Sequence, residues 1–339
     1  MRGQDAISPL VPEDRRSDVE FALEAALGSR RIERAELLSG GVSGALILRL
    51  TAAGRESVLR IEPERIAPEH RARHFAAMAA AAEAGAAPAL RFADAKTGVC
   101  VMDYLAARPL ADHPGGAVGL ARGMGDLLAK VRAAAPFANF GPYPELISVL
   151  LARPGSSGRF AASDLAPCRE GLERIAEALA WDGPMASTHN DVSPRNLIFD
   201  GARLWLVDWE LAWLSDPLVD LAIASTELAV GAELEHELLA SSFGRGPDAA
   251  LLARLSVTRL LTRLAYGVVV FDSLPPEPDS LALALTPEGF RAAIAEGRLA
   301  PGSRDIAAAF ARMSLAQFIR GVEAPGFGEL LARAGQAAV

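Results

Sequence analysis

The sequence predicts an α+β chain, with a small β-rich first lobe followed by a larger helical one, on three observations. Strand-like runs crowd into residues 35–104, helical periodicity dominates after Arg108, and between Met185 and Asp208 a polar loop and two short β-type stretches interrupt the helices. At 339 residues the chain exceeds the usual size of one hydrophobic core, and an apolar content of 51% can fill two adjoining lobes. We expect a helical extension over 1–30, a first lobe over 31–106 and a helical lobe over 107–339.

Each element has its own signal. Residues 12–27 begin with proline and set Val19, Phe21, Ala22, Ala25, Ala26 and Leu27 on an amphipathic helix that reads as a prefix to the core. From Ala35, the runs AELLSGGVSG, ALILRLT and SVLRIEP read as three strands of a meander, with a turn at Gly54. An alanine-rich helix runs from about Glu69 to Ala84 and is closed by Gly85, with Pro88 beyond. Strands near 89–92 and 99–104 complete the sheet, and a hinge is expected near 104–108. Helices follow near 118–134 and 166–180, the second carrying Cys168, Leu172, Ile175 and Leu179 at helical spacing. Residues 219–337 read as four or five helices broken near Gly244, Pro275, Pro301 and Pro325.

Composition excludes several classes. No apolar run approaches the roughly 18 residues a membrane helix needs, and Arg2, Asp5, Glu13 and Asp14 charge the N-terminus, so we expect a cytoplasmic protein with no membrane partner. Cys100 and Cys168 lie in apolar strand-like and helix-like runs, as reduced core thiols do. The net charge is -8, and residues 204–300 hold 14 Asp or Glu against 6 Arg and no Lys, which accounts for all of it. Such an acidic stretch disfavours nucleic acid and favours a metal ion or a cationic small molecule, although a solvated acidic surface would look the same.

The chemistry concentrates in HNDVSPRN, residues 189–196, followed by VDWE at 207–210. Phosphoryl transfer needs a carboxylate to take the acceptor's hydroxyl proton and oxygen ligands to hold Mg²⁺ against the phosphates. Asp191 has the position of such a base, Asn196 follows five residues later in the same loop, and Asp208 ends the second of the two β-type stretches.

These motifs resemble the catalytic and metal-binding loops of the aminoglycoside phosphotransferase and choline kinase families, whose two-lobed fold is similar to that of protein kinases. The H-N-D opening and the D-W-E look closer to the choline and thiamine kinase branch, and the resemblance covers about residues 33–325. It implies Asp191 as catalytic base, Asn196 and Asp208 as Mg²⁺ ligands, His189 packed under the loop, and Asp220 of DPLVDLA hydrogen-bonded to the loop backbone. It further implies ATP or GTP as phosphoryl donor and a hydroxylated small molecule as acceptor, a cationic alcohol such as choline, ethanolamine or thiamine, or an aminoglycoside. A regulatory nucleotide-binding pseudokinase is the alternative. A protein kinase is disfavoured by the lack of D-F-G and A-P-E.

Around this centre, LSGGVSG at 38–44 is a glycine-rich turn in which Gly40, Gly41, Ser43 and Gly44 would approach the phosphates, although a plain hairpin turn explains it as well. Arg60 stands where the family places its phosphate-facing cation, with Glu69 on the next helix as its expected acidic partner. Met102 to Leu105, including Tyr104, resembles the hinge whose backbone receives adenine, although a plain strand end would look the same. Arg195 would neutralise charge on the transferred phosphoryl, or be solvated. Glu210 with Trp209 and Trp213 would hold an ammonium by charge and cation-π contact, or the two indoles would be core and Glu210 would pair locally.

Overall fold

The computed structural model describes residues 7, 9–38, 44–52, 54–179 and 185–337. The chain forms two compact units, one of residues 1–138, 187–214 and 231–244, the other of 139–186, 215–230 and 245–339.

The first unit opens with helix α1 (Arg16–Leu27), which ends on Gly28 in the left-handed conformation (φ 66°). A five-stranded antiparallel sheet follows from β1 (Arg34–Leu37), β2 (Leu46–Ala52), β3 (Arg55–Ile61), β4 (Leu90–Asp94) and β5 (Val99–Asp103), in the order β1-β2-β3-β5-β4. Helix α2 (Pro68–Glu83) enters between β3 and β4, with proline in its first turn. The period of two along each strand divides the sheet into two chemistries. Leu48, Leu50, Leu59, Ile61, Val99 and Val101 join Val19, Ala22, Leu23 and Ile32 in one core. Register sets Ile47 beside Arg60, Arg60 beside Cys100, and Val58 beside Met102, on the opposite face. Helix α1, expected as a prefix, is built into this core, because the rear of the sheet is too apolar to face water.

Helix α3 (Gly116–Ala133) packs against α7 (Ala232–Phe243) within the same unit. The approach is close enough that a Cβ on Gly125 would lie 2.4 Å from the carbonyl oxygen of Leu238. Segment 187–214 adds most of β6 (Ala186–Thr188) and β9 (Trp213–Ser215), and the hairpin of β7 (Leu197–Phe199) and β8 (Leu204–Leu206). Asp200 holds the hairpin turn by accepting the N–H groups of Ala202 (2.8 Å) and Arg203 (2.9 Å) and the indole N–H of Trp205 (2.7 Å).

The second unit is helical: α4 (Tyr143–Ser156), α5 (Ala166–Ala178), α6 (Leu218–Glu227), α8 (Ala249–Ser273), α9 (Pro287–Ala295), α10 (Arg304–Val322) and α11 (Phe327–Ala334). Helix α8 is its spine, meeting α4, α6, α10 and α11, and Asp248 caps it by accepting the N–H of Leu251 at 2.8 Å. Six α-helices are described after residue 217, where four or five were expected, because the chain breaks at Gly231 as well (φ 109°). None of the described helices is long and apolar enough to cross a membrane. Both cysteines are buried and unbonded to each other, and burial pushes each thiol up to about 12.

Candidate active site

Among the described residues only Asn190 (φ 62°) and Asp208 (φ 68°) hold a positive φ without being glycine, and both lie in the segment that carries the motifs. Asn is one of the few residues that tolerates this region, and here its side chain secures the turn: Oδ1 accepts from Thr188 Oγ1 at 3.1 Å, and Nδ2 donates to Leu211 O at 3.0 Å. The loop then closes on itself. His189, fully buried, donates from Nε2 to Val207 O (3.0 Å) and accepts the Asp191 N–H on Nδ1 (3.3 Å). Its ring meets the edge of Trp209 with centroids 4.6 Å apart. Asn196 donates from Nδ2 to both Asp191 O (2.9 Å) and Asp191 Oδ2 (2.7 Å), while its carbonyl accepts Val207 N–H at 2.9 Å. The Asp191 carboxylate is half-buried and aimed by that amide, which leaves Asn196 Oδ1 with no protein hydrogen bond among the described residues.

Asp208 follows the β7–β8 hairpin. Its Oδ1 is shielded from solvent and has no hydrogen-bond partner; the nearest cation, Arg60 Nη1, stands 3.6 Å away. An unpartnered carboxylate oxygen and an amide oxygen on residues that line one cavity are a donor set suited to a hard cation.

Arg60 is 6% exposed and anchors a cluster of charges. Its Nε donates to Glu62 Oε1 at 2.7 Å and its Nη2 to Glu210 Oε1. Glu62 Oε1 also accepts from His74 Nδ1 of α2 at 3.2 Å. Arg73, one residue earlier on α2, donates to the Glu210 carbonyl at 3.1 Å. Burial alone would raise the Glu62 carboxyl, but the hydrogen bond from His74 and the charge and hydrogen bond of Arg60 outweigh it and hold the group at about 2. Glu210 goes the other way: burial pushes it above the usual carboxylate range, Arg60 opposes the shift, and the neighbouring Asp208 and Glu62 add to it. Burial would lower Arg60, yet the charges of Glu62 and Asp208 leave it raised.

The loop, the hairpin and the sheet share one cavity of about 550 Å³. Leu38, Ile47, Val58, Met78 and Met102 supply apolar walls from the sheet side, and Ile198 and Val207 from the hairpin, whereas Arg60, Asp103, Arg195, Asn196 and Asp208 are among its polar groups. At the end of β5 the Asp103 N–H is taken by Ala89 O (3.0 Å) and the Tyr104 N–H by Glu56 O (3.4 Å). The N–H of Leu105, which also lines the cavity, has no acceptor among the described residues.

Of the residues singled out in the sequence, Asp191, Asn196, Asp208, Arg60, Arg195, Met102 and Tyr104 lie at or against this cavity, and His189 lies beneath the loop. The Arg195 side chain is exposed and carries no ion pair among the described residues. Asp220 is buried in α6 of the helical unit, where it helps burial push the Tyr143 phenol up. Gly40, Gly41 and Ser43 lie outside the described residues; Gly44 has φ 78°, and a Cβ there would stand 3.3 Å from Arg65 Nη1.

One expectation is corrected. Glu69 is exposed in the first turn of α2 and is no partner of Arg60, whose carboxylates are Glu62, Glu210 and Asp208. A strand places residues i and i+2 on one face, so Glu62 reaches Arg60 directly, a signal present in the spacing and overlooked. Trp209 and Glu210, expected at the acceptor, also make contacts of their own within the site. Trp209 is 1% exposed and packed between His189 and Phe137, and Glu210 is held by Arg60. Trp213 is half-buried, its carbonyl accepting Thr188 Oγ1 at 2.8 Å. His74 and Arg73 were missed because each is brought in by tertiary contact and belongs to no local motif, whereas Leu105 ends the expected hinge stretch and lines the cavity.

Similar proteins share this arrangement of elements. A choline/ethanolamine kinase family protein from Mesorhizobium loti superposes with a TM-score of 0.66 over 95% of this chain and 100% of that one, at 23% identity. Choline kinase LicA from Streptococcus pneumoniae gives 0.62 over 91% and 99%, at 14% identity, and a LicA structure solved with AMP gives 0.57 over 89% and 98%, at 15%. In sequence, LicA of Haemophilus influenzae is 39% identical over 51 residues, a stretch that spans 15% of this chain and 19% of that protein. The profile described as the phosphotransferase enzyme family matches residues 34–256, a span that holds the sheet, the loop and the hairpin together, and the chain belongs to that family.

Proposed function

We propose that this protein transfers the γ-phosphoryl group of a nucleoside triphosphate to a hydroxyl of a small molecule. The observation that carries the reading is the frame in which Asn196 aims the Asp191 carboxylate at 2.7 Å while lining the same cavity as Asp208, Arg60 and Arg195. In the reaction Asp191 takes the acceptor's hydroxyl proton, the acceptor oxygen bonds to the γ-phosphorus, and the nucleoside diphosphate leaves. Arg60 and Arg195 face the negative charge of the phosphates. The apolar walls of Ile47, Val58, Met102 and Ile198 suit a flat heterocycle, and the unclaimed Leu105 N–H would hydrogen-bond its edge; the AMP held by LicA supports a nucleotide here.

The residues present fit Mg²⁺. Asp208 and the Oδ1 of Asn196 would hold it, and the ion would supply neutralisation of phosphate charge. In this division of labour, residues 31–106 bind the nucleotide and 107–339 carry the base and the acceptor site, with residues 1–30 outside both.

The acceptor is assigned as an alcohol. The names of the choline and ethanolamine kinases of similar fold support amino alcohols as the first candidates. The test is nucleotide consumption, with and without Mg²⁺, against amino alcohols, aminoglycosides and neutral sugars. Metal-dependent turnover with one class establishes the activity; no turnover with any, in a protein that binds ADP tightly, would favour a regulatory module.

A further inference from the structure

Arg60 presents its guanidinium fork to three carboxylates, and it is Glu62, one residue past the end of its strand, that holds it by the 2.7 Å bond from Nε. Glu62 is 2% exposed, and a buried carboxylate needs donors for its lone pairs. His74 supplies one from α2. The imidazole is 4% exposed, its Nδ1 lies 3.2 Å from Glu62 Oε1, and its Nε2 is buried with no partner, so that contact is the ring's one polar anchor among the described residues. Glu62, His74 and Glu210 crowd closely enough to suggest a metal site. The Arg60 guanidinium, however, already joins the two carboxylates, and a divalent ion there would meet a fixed positive charge at contact distance.

In protein kinases the phosphate-facing cation is paired with a glutamate on the helix, and the position of that helix controls the pairing. Here the anion directly follows the strand that carries the cation, and the helix contributes a neighbouring hydrogen-bond donor. We propose that Glu62 and His74 are a positioning pair for Arg60: Glu62 orients the guanidinium toward the nucleotide phosphates, and His74 holds Glu62 in the rotamer that does so. It follows that movement of α2 would loosen Arg60 without removing its counter-charge, so the cation stays oriented over a wider range of helix positions than in a strand-to-helix pair. The proposal rests on the nucleotide reading of the cavity.

The experiment measures calorimetric affinity for ADP with Mg²⁺, together with melting temperature, for Arg60→Met, Glu62→Gln, His74→Leu and His74→Gln in the full chain. Arg60→Met should weaken ADP at least tenfold; unchanged affinity in that variant would overturn the nucleotide reading itself. Given that loss, Glu62→Gln should weaken ADP about tenfold and His74→Leu about fivefold, whereas His74→Gln, which keeps a donor, should stay within about twofold of the parent. Wild-type affinity in both Glu62→Gln and His74→Leu would refute the positioning role. So would a fall in melting temperature with no fall in affinity of the folded protein, or a His74→Gln variant no better than His74→Leu. Should Glu62→Gln fail to fold, the two His74 variants decide the matter.

Discussion

The loop at 189–196 and the arginine cluster on β3 border the same cavity, yet they are held by opposite means. The loop is positioned by neutral hydrogen bonds and a left-handed Asn190, whose contacts run to backbone carbonyls or neighbouring side chains within a short stretch of chain. The cluster is positioned by buried charges whose members come from β3, α2 and the segment after β8. The first gains its order from short-range hydrogen bonds. The second gains its order from Coulomb attraction paid against desolvation, so its geometry depends on the charge state of every member.

Four measurements test this contrast. The largest effect is expected at the loop: Asp191→Asn should lower turnover at least ~10²-fold while leaving ADP affinity within about twofold, because the amide keeps the shape and loses the base. Near-parental turnover would remove Asp191 from the chemistry. Next is the response of the cluster to acid. Because the folded value of Glu62, about 2, lies below its ordinary 4.5, its stabilising contribution is present above pH ~4.5 and is lost as pH falls toward 2. Urea unfolding across that window should show the gap between the parent and Glu62→Gln narrowing by up to about 3 kcal/mol; parallel curves would mean that the cluster is not electrostatic in origin. Third, Asp208→Ala should raise the Mg²⁺ concentration needed for ADP binding more than Asn196→Ala, by roughly tenfold between the two, since a carboxylate brings charge as well as an oxygen. Equal requirements would remove the metal assignment. The smallest effect should come from the left-handed residue of the loop. Asn190→Ala should cost about 1–2 kcal/mol and Asn190→Gly about half that, since glycine accepts the conformation but forfeits the same hydrogen bonds. Equal losses would assign the effect to the hydrogen bonds alone.

The contrast also explains what could be read from the sequence. The loop was legible because its partners are local: His189, Asp191, Asn196 and Asp208 fall within 20 residues, and their spacing carries the geometry. The five strands and α2 were legible because alternation and a proline start announce them, and their bounds moved by a few residues at most. The cluster was half legible. Arg60 and Glu210 were singled out but given separate tasks, and only the fold joins them across 150 residues of chain. Indole rings near a metal ligand read as easily for a cation cage as for core, and Trp209 borders the cavity while being 1% exposed. The acidic stretch at 204–300 could not be apportioned from sequence for a related reason: its charges are divided between the two units, with Glu233, Glu235 and Glu237 on α7 of the first and Asp216 paired to Arg254 at 3.1 Å within the second.

Helix α1 carries a lesson of a different kind. The family match begins at residue 34, so a chain trimmed to that point would retain every residue of the cavity and every motif by which it is recognised. It would also uncover the back of the sheet, where Leu48, Leu50, Leu59, Val99 and Val101 are sealed completely from water. Such a fragment should aggregate or fail to accumulate, and its inactivity would say nothing about catalysis. In this protein the edge of recognisable ancestry and the edge of the folding unit are different places along the chain.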